Sequence, residues 1–139
     1  MNNYDKRGTV QVDKYIRQLV SFDGMKYKGK DGWGVVTPTD IDGFIQLDDG
    51  NIFVFFELKH NGGLPTGQAR AYTKMIDAIC AGGGNAILFV AHHHTEEDTI
   101  DAKNAIVKSW YGSNGWNFPK TEHTLDELIS IFIEHYQGK

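Results

Sequence analysis

The chain contains very little cysteine, with Cys80 alone among its 139 residues. A single thiol excludes a disulfide within the chain and a zinc site built from paired cysteines. It also fits a reducing, cytoplasmic setting, because disulfides accumulate in oxidising compartments. Cys80 follows Ile76 and Ile79 on a predicted helix, so we expect it to pack in the core.

Long apolar runs are absent as well. No stretch approaches the roughly 18 residues of a transmembrane helix, and the N-terminal residues M-N-N-Y-D-K-R-G lack the apolar segment of a signal peptide. We therefore expect no membrane association. A length of 139 residues, with 40% hydrophobic and 23% charged side chains, is typical of one globular domain covering residues 1–139.

The net charge of −4 is not the usual signature of a nucleic-acid-binding protein. Its distribution is uneven, because residues 1–30 hold seven basic side chains and three aspartates, which leaves the remainder at −8. The basic segment is either a surface that faces phosphates or an ordinary solvated helix face.

The most informative region runs from residue 37 to residue 60. Asp42 precedes an apolar strand, the tetrapeptide D-D-G-N predicts a hairpin turn, and a second apolar strand from residue 52 ends in Glu57-Leu58-Lys59. Strand side chains alternate between faces, so Glu57 and Lys59 point to the same side, and the hairpin returns Asp42 towards them. Two carboxylates and an ammonium group are thus expected at one end of an apolar sheet.

These groups suit one kind of chemistry. Carboxylate oxygens are the ligands that Mg²⁺ and Mn²⁺ prefer, and such an ion polarises a phosphate and lowers the pKa of a bound water. Lys59 would add a cation beside that water. The alternative is a surface ion pair between Glu57 and Lys59, which the phenylalanine-rich strand around them disfavours.

The ordered set of Asp, hairpin, apolar strand and E-x-K resembles the PD-(D/E)XK phosphodiesterases, the restriction-endonuclease-like superfamily. The resemblance covers residues 37 to about 72 and implies that Asp42 takes the Asp role, with Glu57 and Lys59 in the E-x-K role. The P-D pair itself is missing, because Thr39 separates Pro38 from Asp40. Asp40 is therefore a competitor of Asp42, a second ligand or a turn residue; Asp42 is preferred because it directly precedes the apolar strand.

A Q-x-x-x-Y pattern follows at Gln68 and Tyr72, which a spacing of four places on one helical face. RecB-like members of the superfamily carry such a pair. The resemblance implies that Gln68 supports the catalytic region or binds the DNA backbone, although an ordinary helix position is the alternative. Tyr72 is either an accessory residue or a core residue, and Arg70 is a candidate phosphate contact.

The resemblance implies an α/β fold with a restriction-endonuclease-like core, αβββαβ, in which helices flank a mixed central sheet, followed by a C-terminal hairpin and helix. The sequence pattern agrees with this order. The predicted elements are a helix over about 9–22, a loop over 25–36 with or without a short strand at 33–36, strands over 43–47 and 52–59, a helix over 66–81, a strand over 86–91, a hairpin over 105–111 and 116–118, and a final helix that the T-x-x-E capping box opens at 124.

Two further groups have no place in the motif. His92, His93 and His94 follow an apolar strand and are expected at the surface or facing substrate rather than on zinc, because adjacent strand residues diverge. An aromatic cluster surrounds the second hairpin, and packing onto the core is favoured over stacking on unpaired bases. Its members are Trp110, Tyr111, Trp116 and Phe118.

The sequence thus predicts a Mg²⁺-dependent deoxyribonuclease. Asp42, Glu57 and the backbone carbonyl of Leu58 would hold the ion, for which Mn²⁺ would substitute. Lys59 would position or activate the attacking water, and Gln68 would support the site. The expected partner is DNA, with RNA as an alternative, and a homodimer is an option because cutting both strands of a duplex needs two sites. The rival prediction is a catalytically inactive protein of this fold that binds nucleic acid or another protein.

Overall fold

A computed structural model of the chain describes residues 21–29, 34–94 and 100–138. They fall into two compact units, with residues 21–29 and 34–38 in one and residues 39–94 and 100–138 in the other. The predicted helix over 9–22 lies outside the described residues, apart from Ser21 and Phe22, which are not helical. Most of the basic side chains of residues 1–30 also lie outside them, and Lys26 and Lys28 are the two that are described.

The smaller unit contains two short antiparallel strands, β1 (Tyr27–Lys28) and β2 (Val35–Val36). Of the predicted segment over 33–36, Val35 and Val36 form a strand, which pairs with β1 in a two-stranded sheet of its own. Among the described residues, the main sheet therefore has two strands before the helix, where the predicted order has three.

The larger unit is built on a mixed five-stranded sheet. Its strands follow one another in space as they do in sequence, and β4 and β5 are the parallel pair while the other neighbours are antiparallel. The strands are β3 (Gly43–Leu47), β4 (Ile52–Lys59), β5 (Asn85–His92), β6 (Ile106–Gly112) and β7 (Gly115–Asn117). Helix α1 (Thr66–Ala81) connects β4 to β5, and a 3₁₀ turn (Ala102–Asn104) precedes β6. Helix α2 (Leu125–Tyr136) follows β7. The α/β class and the mixed sheet are as predicted.

The turn between β3 and β4 sets the register of the first hairpin. Gly50 and Asn51 both adopt positive φ, at 90° and 50°, which glycine and asparagine tolerate best. The Asn51 amide donates a 2.9 Å hydrogen bond to the Asp48 carbonyl and closes the turn. The strands then pair from Leu47 opposite Ile52 to Gly43 opposite Phe56. The next position along this register places Asp42 level with Glu57.

The two faces of the sheet bury different side chains under different helices. Tyr72 and Ile76 of α1 pack against Phe55, Leu88 and Val90. On the opposite face, α2 covers a second cluster that includes Val54, Phe89, Ala91, Val107 and Leu125. Strand β5 supplies both clusters and is buried from Ala86 to Ala91, which confirms the prediction of an internal strand.

Local signals account for the helix ends. Helix α1 follows Pro65 and stops at Gly82, and Gly83 has a φ of 95°. The Thr124 side chain accepts a 3.2 Å hydrogen bond from the Glu127 amide at the start of α2, which confirms the predicted cap. Cys80 is half-buried beside the α1 cluster. Within the described ranges, neither helix is long and apolar enough to cross a bilayer.

Gly43 holds a close aromatic contact at the open end of the hairpin. The ring of its cross-strand partner Phe56 lies directly over it, and a Cβ added at position 43 would lie 2.0 Å from the Phe56 Cζ atom. A side chain at position 43 would therefore displace either the ring or the strand. Gly43 is the residue that follows Asp42, so this contact bears on where Asp42 lies.

Candidate active site

The carboxyl groups of Asp42 and Glu57 meet at the end of the first hairpin. Glu57 is 2% exposed and is the one charged side chain that is buried among the described residues. Asp42 is exposed, and its Oδ2 accepts a 2.7 Å hydrogen bond from the Leu58 amide. The backbone pairing of β3 with β4 ends at Gly43. The Asp42 carboxylate therefore accepts the Leu58 amide in place of a backbone carbonyl, and this hydrogen bond holds Asp42 against β4.

Two donors from α1 hold one oxygen of Glu57. Gln68 Nε2 donates to Glu57 Oε1 at 2.5 Å, and the Tyr72 hydroxyl donates to the same oxygen at 2.8 Å. Gln68 and Tyr72 lie one turn apart on the helix, as the Q-x-x-x-Y spacing predicts. Tyr72 fills both roles that the sequence left open, because its ring also packs edge-on against Phe55 in the core.

Lys59 joins the site through Gln68. It is half-buried, and its Nζ donates to Gln68 Oε1 at 3.5 Å, while the amide nitrogen of the same Gln68 binds Glu57. The Gln68 side chain therefore lies between the carboxyl group and the ammonium group. The structure brings Asp42, Glu57, Lys59 and Gln68 together, as the sequence predicts.

Burial controls the protonation of Glu57. Removal from water, together with contact and repulsion from the Asp42 carboxyl, raises the pKa of Glu57 to about 8. The hydrogen bond from Tyr72 and the charge of Lys59 lower this pKa, but they do not outweigh burial. Near neutral pH, and with no metal ion bound, Glu57 is therefore protonated.

Tyr72 is held as a hydrogen-bond donor. Burial, followed by the hydrogen bond to Glu57 and its charge, raises the pKa of the Tyr72 hydroxyl well above its ordinary value. Repulsion from Asp42 and Asp40 acts in the same direction. The phenol stays protonated at all ordinary pH values, so it keeps fixing Glu57 Oε1.

The accessory residues divide into two groups. Asp40 is exposed and lies near enough for its charge to affect Tyr72. Arg70 is exposed on α1 and is two positions from both Gln68 and Tyr72, or about 200° around the helix, so it points away from Glu57. Its contact with a phosphate stays a prediction.

The carboxyl groups at the hairpin end form a small donor set for a divalent cation. No group of three or more His, Cys, Asp or Glu side chains that could hold a metal occurs in residues 21–29, 34–94 and 100–138. Asp42 and Glu57 supply two adjacent carboxyl groups, one buried, and the Leu58 carbonyl belongs to the residue whose amide binds Asp42. Mg²⁺ is held in many sites by one or two carboxylates, with water and phosphate as its other ligands, so these residues fit it.

The sequence did not identify every residue near the site. His92 lies opposite Lys59 in the parallel register of β4 and β5, and this neighbour depends on a pairing that one sequence does not specify. The expected packing of the aromatic cluster holds for Trp110 and Tyr111, which join the core clusters. It is wrong for Phe118, which is 72% exposed, and Trp116 remains 39% exposed.

Comparison with known proteins leaves the geometry as the basis for assigning a function. No protein-family model matches the chain, and neither curated proteins nor solved structures give a match.

Proposed function

We propose that this protein is a metal-dependent nuclease of the PD-(D/E)XK type that hydrolyses phosphodiester bonds in DNA. One observation carries the proposal: a buried carboxyl group, Glu57, meets the exposed carboxylate of Asp42 while Gln68 links it to Lys59. The restriction-endonuclease-like fold is part of the same proposal.

The energetics of Glu57 favour a functional role over a structural one. Burying a carboxyl group beside a second one costs stability, which the raised pKa of Glu57 records. An apolar residue at position 57 would extend the core without this cost. A divalent cation at the carboxyl pair would offset the repulsion and replace the proton. The arrangement is therefore well suited to binding a cation and poorly suited to stabilising a sheet.

Each residue has a defined part in the proposed reaction. Asp42, Glu57 and the Leu58 carbonyl would hold Mg²⁺ or Mn²⁺, which when bound activates water and stabilises charge on the phosphate. Tyr72 and Gln68 fix Glu57 Oε1, which leaves Oε2 for the cation. Gln68 also orients the Lys59 side chain. As an ammonium group, Lys59 would position the attacking water and stabilise negative charge on the phosphorane; as a neutral amine, it would instead accept a proton from that water.

The test is cleavage of plasmid and single-stranded DNA with Mg²⁺ or Mn²⁺. Glu57→Gln, Lys59→Ala and Asp42→Asn should each lower the rate by about 100-fold or more, because the two carboxylates would hold the ion and Lys59 would act on the water and the phosphate. Glu134→Gln and Lys74→Ala are matched controls, since both side chains are exposed on helix surfaces away from the hairpin end. Wild-type rates in all three site variants would remove the assignment.

One observation favours the rival function, a nuclease-fold protein without activity. Glu57 Oε1 is already bound by two donors, and the site offers two carboxyl groups rather than three. A rival of this kind would bind DNA or a protein partner with no cleavage and no Mn²⁺ binding. Calorimetric titration of Mn²⁺ into the wild type and Glu57→Gln separates the two functions, because the nuclease requires binding that the substitution abolishes.

A further inference from the structure

A groove of about 540 Å³ opens on the face of the sheet that α1 covers. We call it the aromatic groove; Leu64, Ala69, His92, Lys108, Trp116 and Phe118 are among the residues that line it. It adjoins the candidate active site at two points, because His92 is the register partner of Lys59 and Ala69 follows Gln68 on α1. A ligand in the groove would therefore extend directly towards Lys59.

A β-bulge shapes one wall of the groove. Val90 pairs with Ser109, but Ala91 pairs with Val107, so Lys108 is an extra residue in β6. Regular alternation would send Lys108 and Ser109 to opposite faces, whereas both line the groove. The bulge thus turns an additional cationic side chain into the groove beside a hydroxyl group.

Aromatic rings form the other wall. Trp116 and Phe118 line the groove and remain 39% and 72% exposed. Trp116 packs beside its cross-strand partner Tyr111, with ring centroids 5.3 Å apart, and the Tyr111 hydroxyl donates to Asp77 Oδ1 at 2.7 Å. The Trp116 ring is therefore positioned before any ligand arrives.

The described lining of the groove differs in charge from the whole chain. The protein carries a net charge of −4, yet among the residues that the structure describes no Asp or Glu lines the groove, whereas Lys108 does. Exposed rings beside a cationic side chain complement a ligand that has flat apolar faces and negative charge. Unpaired nucleotides have both properties, because each base exposes a stacking face and each linkage carries a phosphate.

We infer that the aromatic groove binds the unpaired bases of single-stranded DNA and delivers the adjacent phosphodiester to Glu57 and Lys59. The bases stack on Trp116 and Phe118, and Lys108 contacts a phosphate. Duplex DNA cannot stack its bases on these rings, because its bases are already stacked on one another. The delivery step rests on the proposed nuclease function, whereas the binding step stands without it.

Binding is tested without cleavage, in EDTA, by fluorescence anisotropy with a labelled thymidine oligonucleotide and with a blunt duplex of equal length. The single strand should bind at least about tenfold more tightly than the duplex. Trp116→Leu and Phe118→Ser should each weaken single-strand binding by about 5- to 150-fold, the equivalent of losing one stacked base. Ile131→Ala is the matched control, since Ile131 is 58% exposed on α2, on the opposite face.

The role of Lys108 has a separate signature. Lys108→Gln should reduce the slope of log affinity against log salt concentration by about 0.7, the value for one phosphate contact on a single strand. Trp116→Leu should weaken binding and leave that slope unchanged. Lys74→Gln controls for the loss of a positive charge elsewhere on the same domain.

The outcomes separate this inference from the nuclease proposal. If the protein cleaves DNA but the wild type and both aromatic variants bind single strands equally well, the groove inference is wrong and the nuclease proposal is unaffected. Single-strand binding that depends on Trp116 and Phe118, without cleavage, supports the groove and removes the nuclease. Preference for duplex DNA also overturns the groove. Phe118→Ser keeps the test decisive if Trp116→Leu fails to fold, because the Phe118 ring is mostly exposed.

Discussion

The two faces of the central sheet differ in how their helices pack. Helix α2 covers its face with an apolar row that includes Leu125, Leu128 and Phe132. Helix α1 packs in the same manner only from Tyr72 onwards, and its first turns carry Gln68 beside the buried Glu57. The α1 face continues from there into the aromatic groove, where the Trp116 and Phe118 rings are exposed, while the apolar row of α2 packs over the opposite face.

This difference separates residues that stabilise the fold from residues that reduce its stability. Burial of apolar area on the α2 face contributes stability in proportion to the area removed from water. On the α1 face, burial of a carboxyl group reduces stability and leaves a preorganised set of polar atoms. Substitutions on the two faces should therefore have opposite effects on the free energy of unfolding.

The largest effect is expected from Glu57→Gln in metal-free protein. The pKa of Glu57 is about 8 in the fold against 4.5 as its ordinary value, so the folded state binds the proton more tightly. The contribution of Glu57 to stability is therefore fully present below pH 4.5 and is lost as pH rises to about 8, by up to about 5 kcal/mol. Glutamine removes this fall, so the variant should be more stable than the wild type at pH 9 and similar at pH 5. Urea unfolding in EDTA at both pH values measures the effect, and parallel pH profiles would contradict it.

Leu125→Ala should have the opposite sign. Leu125 is 2% exposed at the start of α2, and removing its side chain leaves a cavity in the apolar cluster. The expected loss is about 2–5 kcal/mol at every pH. Ile131→Ala on the outer side of the same helix is the control and should change stability by under about 1 kcal/mol. If Leu125→Ala cost no more than this control, the α2 face would not be the stabilising one.

Metal binding should depend on pH through the same carboxyl group. Below pH 8 a cation must displace the proton on Glu57, so the Mn²⁺ dissociation constant should fall about tenfold for each pH increment of one from 6 to 7.5, and level off above 8. Calorimetry in two buffers of different ionisation enthalpy should also detect the released proton. Affinity independent of pH would show that Glu57 is not a ligand.

The smallest effect concerns the start of α2. Thr124→Ala removes the acceptor for the Glu127 amide and should cost about 1 kcal/mol, with no change in Mn²⁺ affinity. Thr124→Ser keeps the acceptor and should behave as the wild type. Thermal unfolding of the three proteins measures the difference. A change in Mn²⁺ affinity would show that the two faces are coupled.

Much of the candidate site follows from local rules. The D-D-G-N turn fixes the hairpin register, and strand alternation then determines that Glu57 and Lys59 share the face that Asp42 approaches. Helical spacing pairs Gln68 with Tyr72. Each of these predictions requires one continuous segment of the chain, the longest running from Asp42 to Lys59, and each residue lies where it was expected.

What the sequence could not supply depends on contacts between distant segments. The extra residue at Lys108 exists only relative to β5, more than a dozen residues away, and His92 becomes a neighbour of Lys59 only through the parallel pairing. Val35 and Val36 form a strand within the segment 33–36, but their pairing with β1 depends on residues 27–28, for which the sequence predicts a loop. The exposure of Phe118 likewise depends on whether distant segments of the chain pack over it, which the local sequence does not determine.

Gly43, which lies beneath the Phe56 ring, limits substitution at the hairpin end although it has no side chain to take part in the chemistry. Alanine at position 43 is the mildest possible replacement, yet its methyl group would overlap an aromatic ring. If the strand moved rather than the ring, the neighbouring Asp42 would be displaced from Glu57 although neither residue had been altered. A saturation library at this codon, selected for ion binding alone, should return glycine.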